Sequence, residues 1–268
     1  MPIPKIIHQI YLQGEANIPD NIKKSVSELR RRNPNWEYRF YDEPKILDYI
    51  QQHYGHKTLN TYLLINENYS AARSDFFRYL LMYQEGGVYL DLKSSCAVPF
   101  DDILHEDDEF IICGWENEIG QKYQGYGINK HLKFLKNGEY QQWNIIAQPY
   151  SPFLKAVIDE VTFRIHDYTP MKYHVGRKGV LNTTGPVPYS IAIEKAKQNQ
   201  NLQFRYERFA EQFGLIYINA DTTVINKNHY RLQNTPVVKL KKLNYLIYIL
   251  WLYILHPRKV ISRKKPGI

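Results

Sequence analysis

The stretch from residue 69 to residue 96 constrains the fold of this chain more than any other. It contains an amphipathic run, the pair Gly86-Gly87, the apolar run Val88-Tyr89-Leu90, and then Asp91. The apolar spacing of the first run predicts a helix, which the glycines end because they adopt left-handed dihedrals without a Cβ penalty. A short β-prone run without polar positions is typical of a strand covered on both faces. The stretch therefore predicts a helix and a buried strand, with a carboxylate at the carboxyl end of the strand.

Two side chains of the predicted helix are expected to lie near the carboxylate of Asp91. Asp75 and Arg78 lie three positions apart and therefore share a helical face. Ser70 is expected to cap the helix, because its hydroxyl can accept a hydrogen bond from a first-turn N–H. Open α/β sheets bind ligands beyond the carboxyl ends of their strands. We therefore expect Asp75, Arg78 and Asp91 to converge on one crevice at the edge of the sheet.

Predicted strands and helices alternate along the first hundred residues. Strands are expected at 3–12 and 36–41, with helices beginning at Asp20 and after Asp42. This alternation favours an α/β fold, a mostly parallel sheet flanked by helices. The later expectations are strands near 110–114 and 215–218, a helix at 151–165 and a turn at 182–186.

The positive charge of the chain is concentrated in its last residues. The formal net charge is +8, but ten basic residues and no acidic residue follow Asp221, which leaves 25 basic and 27 acidic residues in 1–221. A nucleic-acid-binding fold should carry a basic face on its body, so no nucleic-acid partner is expected. Two cysteines exclude a disulfide framework, and the first ten residues lack a secretion-signal pattern. These features favour a cytoplasmic location.

The C-terminal residues 239–268 are expected to form an amphipathic helical tail appended to a domain of residues 1–238. Residues 243–255 are apolar and aromatic with basic flanks. As a helix, this run would span roughly 20 Å, which is short of the roughly 30 Å hydrocarbon core of a bilayer. Aromatic residues and basic flanks favour an anionic membrane interface. The tail therefore predicts an in-plane anchor, peripheral on the inner face of a membrane. The alternative is a helix packed on the domain.

Five runs of the sequence carry a recognisable pattern, and they are residues 3–11, 33–38, 71–79, 86–91 and 184–186. Together they resemble glycosyltransferase family 32, sugar transferases of the capsule and outer-chain type that carry a sugar-binding DXD motif. They are more distantly similar to the glucosylating toxin catalytic domains. Most of the matching residues lie within 3–100, and few lie after residue 100.

The resemblance implies a Rossmann-like GT-A fold and a retaining hexosyl transfer. The donor would be a UDP- or GDP-hexose, and the acceptor a saccharide or lipid-linked saccharide in polysaccharide or glycolipid synthesis. By position, Tyr11 matches an aromatic residue near the nucleotide base. Asp75 and Arg78 match the pair that holds donor-sugar hydroxyls, and Asp91 matches the first acid of the DXD motif. Carboxylates accept hydrogen bonds from hydroxyls, and arginine supplies a rigid fork of donors.

Lys93 stands where the family has the second acid of the motif. In the family that acid contacts a divalent cation, Mn²⁺ or Mg²⁺, and protonated lysine has no acceptor with which to bind a metal. Either another oxygen ligand takes over, or Lys93 itself meets the diphosphate as a fixed cation, or activity is lost. Asp91 and Lys93 are the candidate catalytic residues, and His229 is a late-chain candidate for contact with the diphosphate or metal. The alternative function is a catalytically inactive protein that binds a nucleotide sugar or saccharide.

Overall fold

A computed structural model describes residues 2–199, 201–218 and 235–255, without the side chains of 242–243 and 251–255. Within these ranges the strands are β1 Ile6–Ile10, β2 Glu37–Tyr41, β3 Gly87–Leu90, β4 Ser95–Cys96, β5 Phe110–Cys113, β6 Asn144–Ala147, β7 Arg205–Glu207 and β8 Leu215–Ile216. The α-helices are α1 Asp20–Arg32, α2 Glu43–Leu64, α3 Ser70–Glu85, α4 Pro152–His166, α5 Pro170–Tyr173, α6 Gly176–Thr183, α7 Pro186–Lys197 and α8 Lys242–Leu255.

The main sheet has six strands in the order β2-β1-β3-β6-β5-β7. β1 pairs in parallel with both β2 and β3, and β5 pairs in parallel with β7. β6 runs antiparallel to both of its neighbours, β3 and β5. The mostly parallel α/β sheet expected from the sequence is confirmed. Because β2 and β3 lie on opposite sides of β1, the chain reverses its winding direction there, which places a ligand crevice at the carboxyl ends of β1 and β3.

Both faces of the sheet are covered by apolar residues. Tyr89 of β3 packs into a core shared with α2, α3, α4 and α7. Its neighbours Val88 and Leu90 point to the opposite face, into a second core that contains Leu29 of α1. Successive side chains of a strand alternate between faces, so a strand between two cores needs apolar residues at every position. This requirement explains why β3 has no polar residue.

Gly86 forms the corner between α3 and β3. Its φ of 66° and ψ of −158° lie in a region that is essentially restricted to glycine. A Cβ atom on Gly86 would lie 2.6 Å from the backbone nitrogen of Pro149. Nε2 of the buried His8 lies 3.0 Å from the Gly86 carbonyl oxygen, to which its N–H donates. Burial lowers the pKa of His8 to about 4, so its ring is neutral and the corner is held by a neutral hydrogen bond.

Two local expectations were wrong. Ser70 does not cap α3, because the helix begins at Ser70 itself and Tyr69 occupies the cap position. The buried Tyr69 supplies its carbonyl to the N–H of Arg73, 3.1 Å away, so the chain is already turning into the helix one residue earlier. The turn expected at 182–186 is also shorter than expected. Asn182 lies inside α6, and its side-chain amide donates to the carbonyl of Lys178 at 2.9 Å.

The end of the described chain is joined to the core before α8 begins. Val237 and Val238 are buried, and Val238 pairs with Ile65 in an isolated antiparallel bridge. Tyr248 of α8 is buried, while the neighbouring side chains Tyr245, Leu246, Ile247 and Leu250 are exposed. In the described part of the chain, no helix has the length and apolarity needed to cross a membrane. The helical tail is confirmed for Lys242–Leu255, and the boundary between domain and tail stays a prediction.

Replacing Gly86 by alanine should destabilise the fold more than replacing Gly55. Gly55, inside α2, has a similar conformation, with φ 71° and ψ −176°, but a Cβ there would meet no atom within 4 Å. Both variants incur backbone strain, and only Gly86→Ala adds a clash with Pro149. We expect Gly86→Ala to lower the free energy of unfolding by about 1–3 kcal/mol more than Gly55→Ala, as measured by urea denaturation. Equal losses of unfolding free energy in the two variants would show that the backbone around Gly86 and Pro149 relaxes enough to remove the clash.

Candidate active site

The side chains expected to converge at the end of β3 do so around Arg78. Its Nη2 lies 2.8 Å from Oδ1 of Asp75, and its Nη1 lies 3.1 Å from Oδ1 of Asp91. The Asp75 and Arg78 side chains are almost fully buried, whereas the Asp91 side chain is 26% exposed. The helix therefore delivers one buried ion pair, and the end of the strand delivers a carboxylate that solvent and ligands can reach.

Arg78 is held in place by further contacts from the sheet. Its guanidinium lies over the ring of Tyr89, 4.8 Å from the centroid, and its Nη1 donates to the carbonyl of Gln142 at 2.8 Å. The Tyr89 hydroxyl donates to Oδ1 of Asp91 at 2.9 Å. Burial disfavours the charge of Arg78, but the surrounding Tyr89, Asp91 and Asp75 hold its pKa above its usual value. Both recorded contacts of the Asp91 carboxylate use Oδ1, so among the described residues Oδ2 has no hydrogen-bond partner.

Asp75 is enclosed by hydrogen-bond donors. Thr184, at the junction of α6 and α7, donates to Oδ2 at 3.0 Å, and the amide of Gln142 donates to Oδ1 at 3.4 Å. The Tyr79 hydroxyl hydrogen-bonds with the Gln142 side chain and lies 3.0 Å from the Thr184 carbonyl. Burial raises the pKa of Asp75 to about 6, and Arg78 opposes that rise. At neutral pH Asp75 is therefore mostly ionised and serves to fix Arg78.

These groups line one side of a cavity of about 710 Å³. Its charged lining residues are Asp75, Arg78, Asp91, Lys93, Glu139 and Arg177. Its aromatic lining residues are Trp115, Tyr126, Trp143 and Tyr217. A cavity of this size, with aromatic walls and a few charged groups, has the usual character of a small-molecule site.

Lys93 faces the aromatic wall. Its Nζ lies 4.5 Å from the ring centroid of Tyr217 and 3.3 Å from the Tyr217 hydroxyl. The Tyr217 ring in turn packs against Trp143, with centroids 5.1 Å apart. The turn after Asp91 is closed by a hydrogen bond from the Ser94 N–H to the Asp91 carbonyl at 2.8 Å, which places Lys93 beside the carboxylate. The cation is thus positioned in the cavity by a cation–π contact.

The described residues around Asp91 do not fit a divalent cation by themselves. Mg²⁺ and Mn²⁺ prefer several oxygen ligands, and here the Asp91 carboxylate is paired with Arg78 and shares the cavity lining with a second cation, Lys93. No group of three or more metal-ligating side chains occurs within the part of the chain that the structure describes. His229, the late-chain candidate, lies outside the described residues.

The remaining candidate, Tyr11, lies at the correct edge of the sheet but not in the cavity lining. It follows β1 directly, is half-buried, and its N–H donates to the Tyr41 carbonyl at 2.9 Å. The amide of Gln9, two residues earlier, donates to the backbone carbonyl of Asp91 at 3.3 Å, so β1 and β3 end side by side. The structure therefore places Tyr11 beside the crevice, and its role near a nucleotide base stays a prediction.

Sequence reasoning missed several residues of the site. Tyr89 was expected only as a strand residue, and Gln142, Glu139 and Arg177 were not singled out. Thr184 stood within a recognised run, at a Thr-Gly-Pro sequence that marks the junction between two helices. Gln142, Glu139 and Arg177 carried no local signal, because long-range folding alone brings them to the cavity.

Comparison with known proteins supports the interpretation of this site. Residues 19–110 match the family described as glycosyltransferase sugar-binding region containing DXD motif. Inositol phosphoceramide mannosyltransferase 1 of Schizosaccharomyces pombe is 30% identical over 107 residues, which cover 38% of this chain and 31% of that protein. The initiation-specific alpha-1,6-mannosyltransferase of Candida albicans is 23% identical over 216 residues, covering 74% of this chain and 54% of that protein. The chain thus spans about a third to a half of the length of these relatives.

The fold has counterparts among solved structures. The UDP-bound glycosyltransferase domain of the YGT toxin superposes with a TM-score of 0.53, at 9% identity, over 96% of this chain and 91% of that chain. At this identity the likeness establishes the fold, which is GT-A. The predicted GT-A architecture is therefore confirmed. The chain therefore has a GT-A fold, and its residues 19–110 are similar to the glycosyltransferase sugar-binding region containing DXD motif, with Lys93 in place of the second acid of that motif.

Proposed function

We propose that this chain is a retaining glycosyltransferase that moves a hexose from a UDP- or GDP-sugar to a saccharide or lipid-linked saccharide acceptor. The observation that carries the proposal is the bridge from Asp75 through Arg78 to Asp91 at the edge of a 710 Å³ cavity. The names of the relatives support mannose as the hexose, and the ceramide-linked acceptor named for one of them supports a lipid-linked acceptor here.

In this proposal Asp91 is the residue that touches the donor. Its Oδ1 is held by Arg78 and Tyr89, so Oδ2, which has no partner among the described residues, can accept a hydrogen bond from a ribose or sugar hydroxyl. Asp75 and Arg78 orient that carboxylate and form the adjoining wall. A carboxylate fixed on one oxygen is pre-organised for a ligand on the other, which reduces the ordering cost of binding.

Replacing Asp91 by asparagine should abolish transfer while leaving the protein folded. Loss of one fixed electrostatic contact at a reacting centre typically costs about 100-fold or more in rate. The donor is first identified by thermal stabilisation with UDP-glucose, UDP-galactose and GDP-mannose, since a ligand that binds only the folded state raises its stability. Transfer and donor hydrolysis are then measured for wild type, Asp91→Asn and the control Asp107→Asn, which alters an exposed acid outside the cavity.

An unchanged rate in Asp91→Asn would contradict the role of Asp91. Stabilisation of the wild type by a nucleotide sugar, without hydrolysis or transfer, would instead support the alternative of a catalytically inactive nucleotide-sugar-binding protein. This alternative rests on Lys93, a cation at the position where the motif has its second acid.

We further propose that Lys93 contacts the diphosphate of the donor and neutralises part of its negative charge, a role that a divalent cation has in the family. Replacing an aspartate by a lysine changes the local charge by +2, which equals the charge that a divalent cation contributes. Lys93 is fixed against Tyr217 inside the cavity, beside Asp91, so its charge is pre-positioned for a leaving diphosphate.

Transfer by the wild type should therefore resist a chelator better than transfer by Lys93→Asp. We expect EDTA to reduce the wild-type rate by less than about threefold and to reduce the Lys93→Asp rate at least tenfold, because the variant regains the acid but loses the fixed cation. Rates are compared with EDTA and after restoration of excess Mn²⁺. Abolition of the wild-type rate by EDTA would refute the proposal for Lys93.

We also propose that residues 239–268 attach the domain of residues 1–238 to the cytoplasmic side of a membrane. Four neighbouring apolar or aromatic side chains of α8 are exposed, namely Tyr245, Leu246, Ile247 and Leu250. The basic residues that follow α8 lie outside the described part of the chain, but their charges favour anionic lipid at about 1 kcal/mol each near the surface. A lipid-linked acceptor would be presented at the same interface.

The double variant Leu246→Glu with Leu250→Glu should lose membrane binding without loss of fold. These side chains are 64% and 62% exposed, so the charges do not disturb the core, but they remove apolar area that would enter the interface. We expect at least about tenfold weaker flotation with vesicles containing phosphatidylserine. Phe163→Glu, at a 58% exposed apolar side chain of α4, is the matched control. Equal flotation of wild type and double variant would exclude the anchor.

A further inference from the structure

The cavity lining contains a third carboxylate, that of Glu139, which lies on the segment between β5 and β6. Its backbone N–H donates to the carbonyl of Gly127 at 2.9 Å, which ties two parts of the segment between β5 and β6 together. A Cβ atom on Gly127 would lie 2.9 Å from Cγ of Glu139 and 2.8 Å from Cδ1 of Trp115. The absence of a side chain at Gly127 therefore lets the stem of Glu139 pack tightly beside Trp115. The position of Glu139 is fixed by this packing.

Glu139 differs from the two donor-side acids in its contacts with the part of the chain that the structure describes. Among the described residues, no hydrogen bond or ion pair within 4 Å is recorded for its carboxylate, whereas Asp75 and Asp91 both contact Arg78. A half-buried carboxylate without a partner is costly, since desolvation is not offset by a hydrogen bond. Burial accordingly raises the pKa of Glu139 to about 7, opposed by the positive charge of Arg177.

Arg177, near the beginning of α6, is the charged group that acts on Glu139. It also lines the cavity, and within the described ranges it makes no ion pair shorter than 4 Å. The cavity lining thus combines a carboxylate and a guanidinium that have no ion-pair partner among the described residues with the aromatic rings of Trp115 and Tyr126, whose centroids lie 5.7 Å apart. Such a surface offers a hydrogen-bond acceptor, hydrogen-bond donors and flat apolar faces, which suits a hydroxyl-rich ring compound.

Glu139 and Arg177 come from a different part of the chain than the residues assigned to the donor. The sugar-binding region shared with the family covers residues 19–110, and the three groups tied to the donor role, Asp75, Arg78 and Asp91, all lie within it. Glu139 and Arg177 lie beyond that region, on segments that the family match does not include. The proposed function assigns the lining residues inside that region to the nucleotide sugar, and the lining beyond it is the part that remains for the second substrate.

We propose that Glu139, flanked by Arg177 and Trp115, forms the acceptor subsite, in which its carboxylate accepts a hydrogen bond from a hydroxyl of a hexoside acceptor. This assignment rests on the proposed transferase function. It adds a second carboxylate with a separate task, since Asp91 binds the donor and Glu139 binds the molecule that receives the sugar. The ionised form of Glu139 is the stronger hydrogen-bond acceptor.

The subsite should impose its own pH dependence on transfer. Glu139 is ionised above a pH of about 7, so the transfer rate at low acceptor concentration should rise as pH increases through that value. The other charged groups of the cavity are Asp75, Arg78, Asp91, Lys93 and Arg177, and they remain in Glu139→Gln. That variant should lose the rise near pH 7, while donor hydrolysis keeps the wild-type profile.

The test uses the full chain with methyl α-mannoside, methyl α-glucoside and methyl α-galactoside as probes. Binding is measured by saturation-transfer NMR, and KM and kcat for transfer are measured with the donor that gives thermal stabilisation. For Glu139→Gln we expect at least about tenfold weaker hexoside binding and a correspondingly higher KM for the acceptor, with unchanged donor stabilisation and hydrolysis. The matched control is Glu116→Gln, which alters a half-buried acid on the same segment but outside the cavity lining.

Three results would overturn the assignment. The first is a wild type that binds none of the three hexosides, and the second is a Glu139→Gln variant with wild-type hexoside affinity. The third is loss of donor stabilisation in Glu139→Gln, which would place Glu139 with the donor. A wild type that binds a hexoside through Glu139 but no nucleotide sugar would support the subsite while refuting the transferase proposal, so the two failures are distinguishable.

Discussion

The buried guanidinium of Arg78 is the interaction on which the rest of the site depends. It joins Asp75 on the same helix to Asp91 at the end of the neighbouring strand, with N···O distances of 2.8 and 3.1 Å. A buried charge left without any partner typically costs about 3–5 kcal/mol, so the fold depends on the acids beside Arg78, and Asp75 still pairs with it when Asp91 is neutralised. The packing of α3 against the sheet and the position of the reactive edge are coupled, because Arg78 of the helix also binds Asp91 at the end of the strand.

The short distance between helix and strand depends on the corner at Gly86. That corner turns the chain directly from α3 into β3, so residues only thirteen positions apart in sequence, Arg78 and Asp91, meet across it. The neutral His8 secures the corner from β1, and Gln9 of the same strand reaches the carbonyl of Asp91. The first strand thus supports both ends of β3. This coupling explains why the runs at 3–11, 71–79 and 86–91 belong to one functional unit.

Local patterns were sufficient to predict that unit. The spacing of Asp75 and Arg78 predicted a shared helical face, and the fully apolar β3 predicted a strand between two cores, because both are short-range consequences of helix and strand periodicity. Capping and turn boundaries were predicted less well. The cap of α3 is Tyr69 and not Ser70, since the burial of an aromatic side chain outweighed the modest advantage of a hydroxyl at the cap. Asn182 lies inside α6, where its side-chain amide donates to the Lys178 carbonyl.

The sequence by itself determined the α/β class, the order of the first strands, and the identity of Asp75, Arg78 and Asp91 as groups that meet. These features follow from residue spacing within about twenty positions. Only the tertiary structure decided which other residues line the cavity with them. Glu139 and Arg177 come from a long irregular segment and from the start of α6, and Lys93 is oriented by Tyr217, more than a hundred residues away. Contacts of such separation leave no periodic trace in a sequence, because chain folding and not local geometry brings them to the cavity.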